Sequence, residues 1–328
     1  MYPLAENIFA DDVTREPIRA GFGRGLRAAG EADQRVVALC ADLTESTQMH
    51  LFRDAFPERF IEVGIAEQNL VTVASGLARV GKIPFTSSYA AFSPGRNWEQ
   101  IRTTICLNDM PVVVVGSHAG ISVGPDGATH QMLEDIALMR VLPNMTVIAP
   151  ADSVEAEKAT LAIATSGKPA YLRLARDKTP VFSVAESPFE IGKAYILREG
   201  IDVTLLATGT MTYECLAAAD ELAKSGVSAE VVHVPTIKPL DEETVLASLR
   251  KTGRGLTAEE AQVAGGFGSA VAELLAEKMP TPLRRLGVYD RFGESGKPTE
   301  LLEAFGLNGS HIALSTQEFI ASTPQYHR

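Results

Sequence analysis

Cysteine is scarce in this chain of 328 residues: Cys40, Cys106 and Cys215 lie far apart and form no CxxC pair. A disulfide framework is thereby excluded and a thiolate zinc site has no support. Cys40 and Cys106 stand in apolar runs and read as buried, reduced thiols of a reducing compartment. Positive charge is short as well, with 30 Lys and Arg against 41 Asp and Glu and a net charge of −11. A broad basic footprint for nucleic acid is therefore absent, which leaves room only for a local cationic pocket that takes a small anion. No apolar run approaches about 18 residues, so no membrane span is expected. The opening stretch, MYPLAENIFADDVTREPIR, lacks the basic n-region and apolar core of a signal peptide. A cytoplasmic, soluble protein is expected.

What is present is a hydrophobic fraction of 45% beside a charged fraction of 22%, enough to bury a sizeable core. The length suits two domains of roughly 150 residues each. Residues 1–15 are expected to form an arm rather than core. A helix is expected from Glu16 to Ala29, where Ile18, Phe22 and Leu26 recur at i, i+4 spacing. RVVALCADL and PVVVVGS are continuous apolar runs of the kind that form buried parallel strands. Further helices are expected at Arg96–Leu107, Met132–Arg140 and Ser153–Thr165, with strands between them. Alternating strands and helices indicate an α/β fold with a doubly wound parallel sheet over residues 16–178. Residues 179–200 fall in a proline-bearing stretch without clear period and read as a linker. The alternation then restarts, giving a second, smaller doubly wound domain over residues 201–328. Neither domain shows a short internal repeat.

In open parallel sheets, ligands sit outside the carboxyl ends of the strands. Polar stretches follow several expected strand ends: DLTEST, EVGIAEQN, SSYAAFS, HAGISVGPDGATHQ and ARDK. In EVGIAEQN, Glu67 stands where the strand-like FIEV turns into an apolar helix. Partial burial there favours the protonated, hydrogen-bond-donating form of an acid. The plainer alternative is a first-turn glutamate that complements the helix dipole. Tyr89 and Phe92, three apart after a strand, can present both rings on one side for a flat heteroaromatic ring, or be core aromatics. His118, Asp126 and His130 lie in a glycine-rich loop that matches neither GxGxxG nor GxxxxGK[ST]. Acid–base work and contacts to substrate hydroxyls suit them better than a metal, because their spacing fits no standard ligand pattern. Arg176 at a strand end is a natural anion ligand, with Arg173 upstream expected on the same face; a surface cation is the alternative.

The order DLTES, EVGIAEQN, YAAF, SHAGISVGPDGATHQ, LPNMTVIAPAD and LRLAR resembles the C-terminal half of transketolase. The likeness runs from about Asp42 to Arg176 as the pyrimidine-binding domain. It continues from Val203 through VTLLATG, VVHVPTIKPLD and GGFGSAVAE as the family's C-terminal domain. The resemblance implies thiamine diphosphate as cofactor, an electron sink that the protein orients and tunes. It gives Glu67 the hydrogen bond to N1′ of the aminopyrimidine, which favours the imino tautomer. It places Tyr89 and Phe92 beside the pyrimidine, and Asp42 near the cofactor. A third family aromatic falls at about Gly95 here, so the cage is more open or completed differently. By the same resemblance His118, Asp126 and His130 contact substrate hydroxyls and carbonyl, with His130 nearest the phosphate end, and Ser46 and Arg176 hold phosphate. Donor and acceptor are then a ketose phosphate and an aldose phosphate.

The family holds the cofactor's diphosphate and its Mg2+ or Ca2+ with a GDG motif and a downstream Asn, and no GDG occurs here. The resemblance therefore implies a split transketolase. A separate N-terminal subunit would carry the diphosphate-binding domain and the metal, in an assembly that is a homodimer or heterotetramer. Within the same cofactor class the alternatives are a deoxyxylulose-phosphate synthase fragment and a 2-oxo acid dehydrogenase β subunit. Outside that class stands a non-catalytic α/β subunit used for assembly or regulation. Glu259, Glu260 and the GGFGS turn resemble packing and interface features, with no catalysis assigned.

Overall fold

A computed structural model describes residues 2–323; residues 1 and 324–328, the outer ends of the expected arm and second domain, lie outside the described residues. The first part of the chain runs β1 (Arg15–Pro17), α1 (Ile18–Ala32), β2 (Val36–Cys40), α2 (His50–Ala55), β3 (Phe60–Glu62), α3 (Glu67–Arg79) and β4 (Ile83–Tyr89). It continues with α4 (Trp98–Gln100), β5 (Val113–Ser117), α5 (Asp135–Arg140), β6 (Thr146–Ile148), α6 (Ser153–Ser166), β7 (Ala170–Arg173) and β8 (Lys178–Pro180). The second part runs β9 (Tyr195–Arg198), β10 (Val203–Ala207), α7 (Met211–Lys224), β11 (Ala229–His233), β12 (Thr236–Lys238) and α8 (Glu242–Thr252). After these come β13 (Gly255–Gln262), α9 (Phe267–Lys278), β14 (Leu283–Val288), α10 (Pro298–Ala304) and α11 (Gly309–Ser322).

Two principal sheets result. The first is seven-stranded in the order β12-β6-β7-β5-β4-β2-β3, the second five-stranded in the order β14-β13-β10-β11-β9. Within these two sheets every pairing is parallel except those of the edge strands β12, on β6, and β9, on β11. Strands β2 and β5 are buried at every position, as apolar runs covered on both faces must be. Ile18, Phe22 and Leu26 form the buried stripe of α1. A side chain at Gly21 or Gly25 would collide with the α6 backbone, so these glycines let the two helices pack closely.

Four expectations need correction. The first residues are not a free arm: Tyr2 and Ile8 are buried in the second part's apolar core, and Leu4 bridges to Ser183. Apolar side chains of that size gain too much from burial to stay in water. The stretch read as linker contains β9, whose Leu197 is buried against that same core. Helix Arg96–Leu107 is a short α-turn followed by a π-helical segment, Ile101–Cys106, closed by the bond from Leu107 N–H to Arg102 O. Helix Met132–Arg140 starts at Asp135, because Gln131 and Met132 are engaged in bonds to the glycine-rich loop. All three cysteines are free and buried. Among the described residues no helix is long and apolar enough to cross a membrane.

Candidate active site

Because β3, β2, β4, β5 and β7 run parallel, the segments leaving their carboxyl ends emerge along one edge of the sheet. Glu67 opens α3 at that edge and is only 2% exposed. Its Oε2 accepts a 2.7 Å hydrogen bond from Arg96 Nη1, and its main-chain oxygen accepts from Asn97 Nδ2 at 2.8 Å. Among the described residues Oε1 makes no hydrogen bond, so one oxygen of a nearly dry carboxylate is available to a ligand. Arg96 also stands 5.0 Å over the Phe92 ring. At Gly95 a Cβ would collide with the Ala91 carbonyl, so no side chain fits there without a shift of backbone. Arg96, the next residue, covers that side of the site instead.

Four rings gather on the Phe92 side of Arg96, the partner of Glu67. Tyr89 and Phe92 are nearly parallel, with centroids 6.1 Å apart and planes at 19°. On its other contact Tyr89 stacks on His118 at 3.8 Å and 24°. His130 meets Phe92 edge-on at 5.4 Å and Tyr89 at 6.2 Å. His118 is buried with φ of 58°, a left-handed backbone that a non-glycine residue adopts at a cost of about 1–3 kcal/mol. Its Nδ1 lies 2.9 Å from Ser117 Oγ. Burial pushes the imidazole down from 6.5 to about 3, helped by the charges of Arg19, Arg176 and His130. His118 is thus a neutral imidazole across the physiological range.

Arg19 has no local sequence signal, because it reaches the site from the first turn of α1, far away in the chain. It donates to the main-chain oxygen of Arg176, while Arg176 Nη1 donates to Val123 O at 2.7 Å. Burial, then the neighbouring Arg176, lowers the proton affinity of Arg19, whose Nε is buried with no partner among the described residues. Two guanidiniums beside a neutral imidazole, with a donor to spare, suit an oxyanion.

The remaining expected residues are more dispersed. Asp42 is exposed, with φ of 58°, and its amide donates to Glu62 Oε1 at 2.8 Å. That same oxygen accepts from the Gly64 amide at 2.9 Å, so Glu62 ties the DLTEST turn to the segment leading into Glu67. Ser46 is half-buried in that turn, whose Gln48 lies against α1 at Gly23. Asp126 is exposed, and among the described residues its carboxylate makes no hydrogen bond. Arg19 and Arg176 act on the His118 ring through their charge, and His130 packs on the aromatic rings. Arg173 does not stand with Arg176: β7 ends at Arg173, and Arg176 lies in the bend beyond the strand. Arg173 is buried in an ion pair with Asp135 at 2.8 Å. Sequence reasoning missed Arg19, Glu62 and Arg96. Only Arg96 left a trace, one helical turn beyond Phe92.

Known proteins match this arrangement over most of the chain. Residues 17–181 match the transketolase pyrimidine binding domain, and residues 192–312 the transketolase C-terminal domain. The chain is similar to a transketolase C-terminal section of Methanocaldococcus jannaschii, at 44% identity over 304 residues, covering 92% of this chain and 95% of that one. It is also similar to a 6-deoxy-6-sulfo-D-fructose transketolase subunit of a Clostridium species, at 46% identity over 288 residues, covering 88% and 89%. A solved structure described as a split gene transketolase, inactive beta4 tetramer, superposes with a TM-score of 0.87 at 44% identity, covering 93% of this chain and 98% of that one. With both domains present in order, the chain belongs to the transketolase family and corresponds to its C-terminal section.

Proposed function

We propose that this chain is the subunit of a thiamine-diphosphate-dependent transketolase that holds the cofactor's aminopyrimidine and the sugar. A second subunit supplies the diphosphate-binding domain and the Mg2+ or Ca2+ with it. The observation that carries this reading is Glu67, nearly dry, with Oε1 unbonded among the described residues and its partner Arg96 over the Phe92 ring of an aromatic cluster. These residues fit a flat aminopyrimidine, which needs one buried carboxylate and an apolar face. When bound, thiamine diphosphate supplies the carbanion chemistry that breaks and remakes the ketose carbon–carbon bond.

The chain's own residues perform the rest. Glu67 hydrogen-bonds the pyrimidine edge through Oε1 while Arg96 fixes Oε2. Tyr89 and Phe92 exclude water from that face, and Asp42 lies at the neighbouring strand end. His118, neutral, can accept or donate at the sugar carbonyl; His130 and Asp126 serve the hydroxyls. Arg19 and Arg176, with Ser46, take the terminal phosphate of the ketose donor and aldose acceptor. A terminal sulfonate offers similar oxygens, and one relative is named for such a sugar. Two observations support a partner and a hetero-oligomer, a heterotetramer or a homodimer of paired subunits. The sequence lacks GDG, and a split relative is described as inactive in the form of a tetramer of its own chain.

The test mixes this chain with a diphosphate-binding subunit, cofactor and Mg2+, and follows ketol transfer from a ketose phosphate to an aldose phosphate. Activity should need both subunits, and Glu67→Ala should lower it by at least about a hundred-fold. Full transfer by the chain alone would refute the partner. Unchanged turnover in Glu67→Ala would leave a non-catalytic subunit as the better reading. Preference for pyruvate over ketose phosphate as donor would move the chain toward the synthase class.

A further inference from the structure

The glycine-rich loop that carries His118 and His130 is not held by its own domain alone. Its centre is gripped by a carboxylate from the second sheet. Glu260, near the end of β13, is 2% exposed, and its Oε1 accepts from the Ser122 amide at 2.6 Å. Oε2 accepts from Thr210 Oγ1 at 2.8 Å, and the main-chain oxygen accepts from Arg173 Nη2 at 2.8 Å. Both carboxylate oxygens and the backbone of one residue are therefore committed, the last to an arginine of the first sheet. The loop is shaped to receive this group: Gly120 has φ of 88°, and a Cβ there would collide with Glu260 Oε1. Only a residue without a side chain lets the backbone come so close.

The second domain also closes the loop's far end. Gln131 Nε2, next to His130, donates both to Ile121 O at 3.0 Å within the loop and to Glu294 O at 2.9 Å across it. The Gln262 amide, two residues after Glu260, donates to Leu133 O at 2.8 Å.

We propose that Glu260 is a positioning residue: by accepting from the Ser122 amide it sets the loop so that His118 and His130 face Tyr89. The second domain thereby acts as the rigid support of the sugar site. Naming the ligand as a sugar rests on the function proposed above; the ordering of the loop does not. A charge-assisted hydrogen bond in a dry site is worth about 1.5–3 kcal/mol, which corresponds to a ten- to hundred-fold change in loop opening.

The experiment compares Glu260→Ala with Glu260→Gln, whose side-chain oxygen can still accept from Ser122. Amide exchange of residues 118–131 is followed in the full chain. In the mixture with the diphosphate-binding subunit, sugar KM, kcat and cofactor Kd are measured. In Glu260→Ala the loop amides should exchange about ten- to a hundred-fold faster. The sugar KM should rise by a similar factor, with cofactor Kd within about two-fold of the parent, and Glu260→Gln should restore most of both. Should Glu260→Ala fail to fold, Thr210→Val, which strips the partner of Oε2, should shift both readouts the same way by a smaller factor. Unchanged loop exchange overturns the proposal, and so does a loosened loop with unaltered sugar KM. Unchanged turnover in Glu67→Ala strikes the functional reading instead and leaves the exchange result standing.

Discussion

His118 gives the sharpest quantitative handle on the site. Burial and three neighbouring cations hold its ring at about 3 in place of the ordinary 6.5. A histidine held below its unfolded value contributes stability that is full above pH 6.5 and is lost as pH falls toward 3. The whole displacement corresponds to about 5 kcal/mol, an upper bound because solvent and ions relax around the charge as it forms. The assay is a titration of ring resonances in the isotopically labelled full chain, with His118→Gln used to assign the signal among the six histidines. The His118 resonance should stay neutral down to at least about pH 4. Saturating inorganic phosphate should move its midpoint upward, since an anion between Arg19 and Arg176 offsets two of the three cations acting on the ring. A His118 midpoint between 6 and 7 in the phosphate-free chain would refute the burial and charge reasoning together. An unaltered midpoint in phosphate would remove the arginine pair as the oxyanion site.

Two further outcomes follow from charged groups described above. Arg96→Met leaves the buried Glu67 carboxylate without its ion-pair partner, and we expect about 1–3 kcal/mol lost in denaturant unfolding. The same change should weaken cofactor binding to the two-subunit mixture about ten-fold by isothermal titration, and equal affinity would show that Arg96 does not orient the acid. Glu259, fully buried, is pushed up to about 7 by burial although it accepts the amides of Phe267 and Gly268 at 2.6 and 2.8 Å. An acid held above its unfolded 4.5 stabilises most below that pH, and its contribution fades as pH rises through 7. Relative to Glu259→Gln, the parent should therefore lose up to about 3 kcal/mol between pH 4.5 and 7 in urea midpoints, and parallel curves would refute it.

Much of the frame is legible because periodicity carries it. The i, i+4 stripe of α1 and the unbroken apolar runs of β2 and β5 each impose one element and one environment. Parallel strands then put their trailing loops on one edge, so Glu67, Tyr89 and His118 could be gathered without coordinates. What escaped depended on long-range pairing. Arg19 carries no pattern that distinguishes it from other arginines, and Arg96 only its place one helical turn beyond Phe92. Their significance comes from a carbonyl and a carboxylate supplied by other elements. Arg173 misleads because its charge is consumed by Asp135 inside the protein, while Arg176 lies in the bend beyond β7. The opening residues read as polar and irregular, yet two apolar side chains suffice to pin them to the second core.

Strand β12 has a bearing on how the polypeptide is made. It lies in the second half of the sequence, between β11 and α8, yet it supplies the outermost strand of the first sheet, antiparallel on β6. As the chain leaves the ribosome, the first sheet therefore keeps an open edge at β6 until Thr236–Lys238 has emerged. An unpaired edge of this kind recruits other strands and favours aggregation. Truncation after β8 would make that transient exposure permanent. The first sheet is thus completed only by residues from the second half of the sequence.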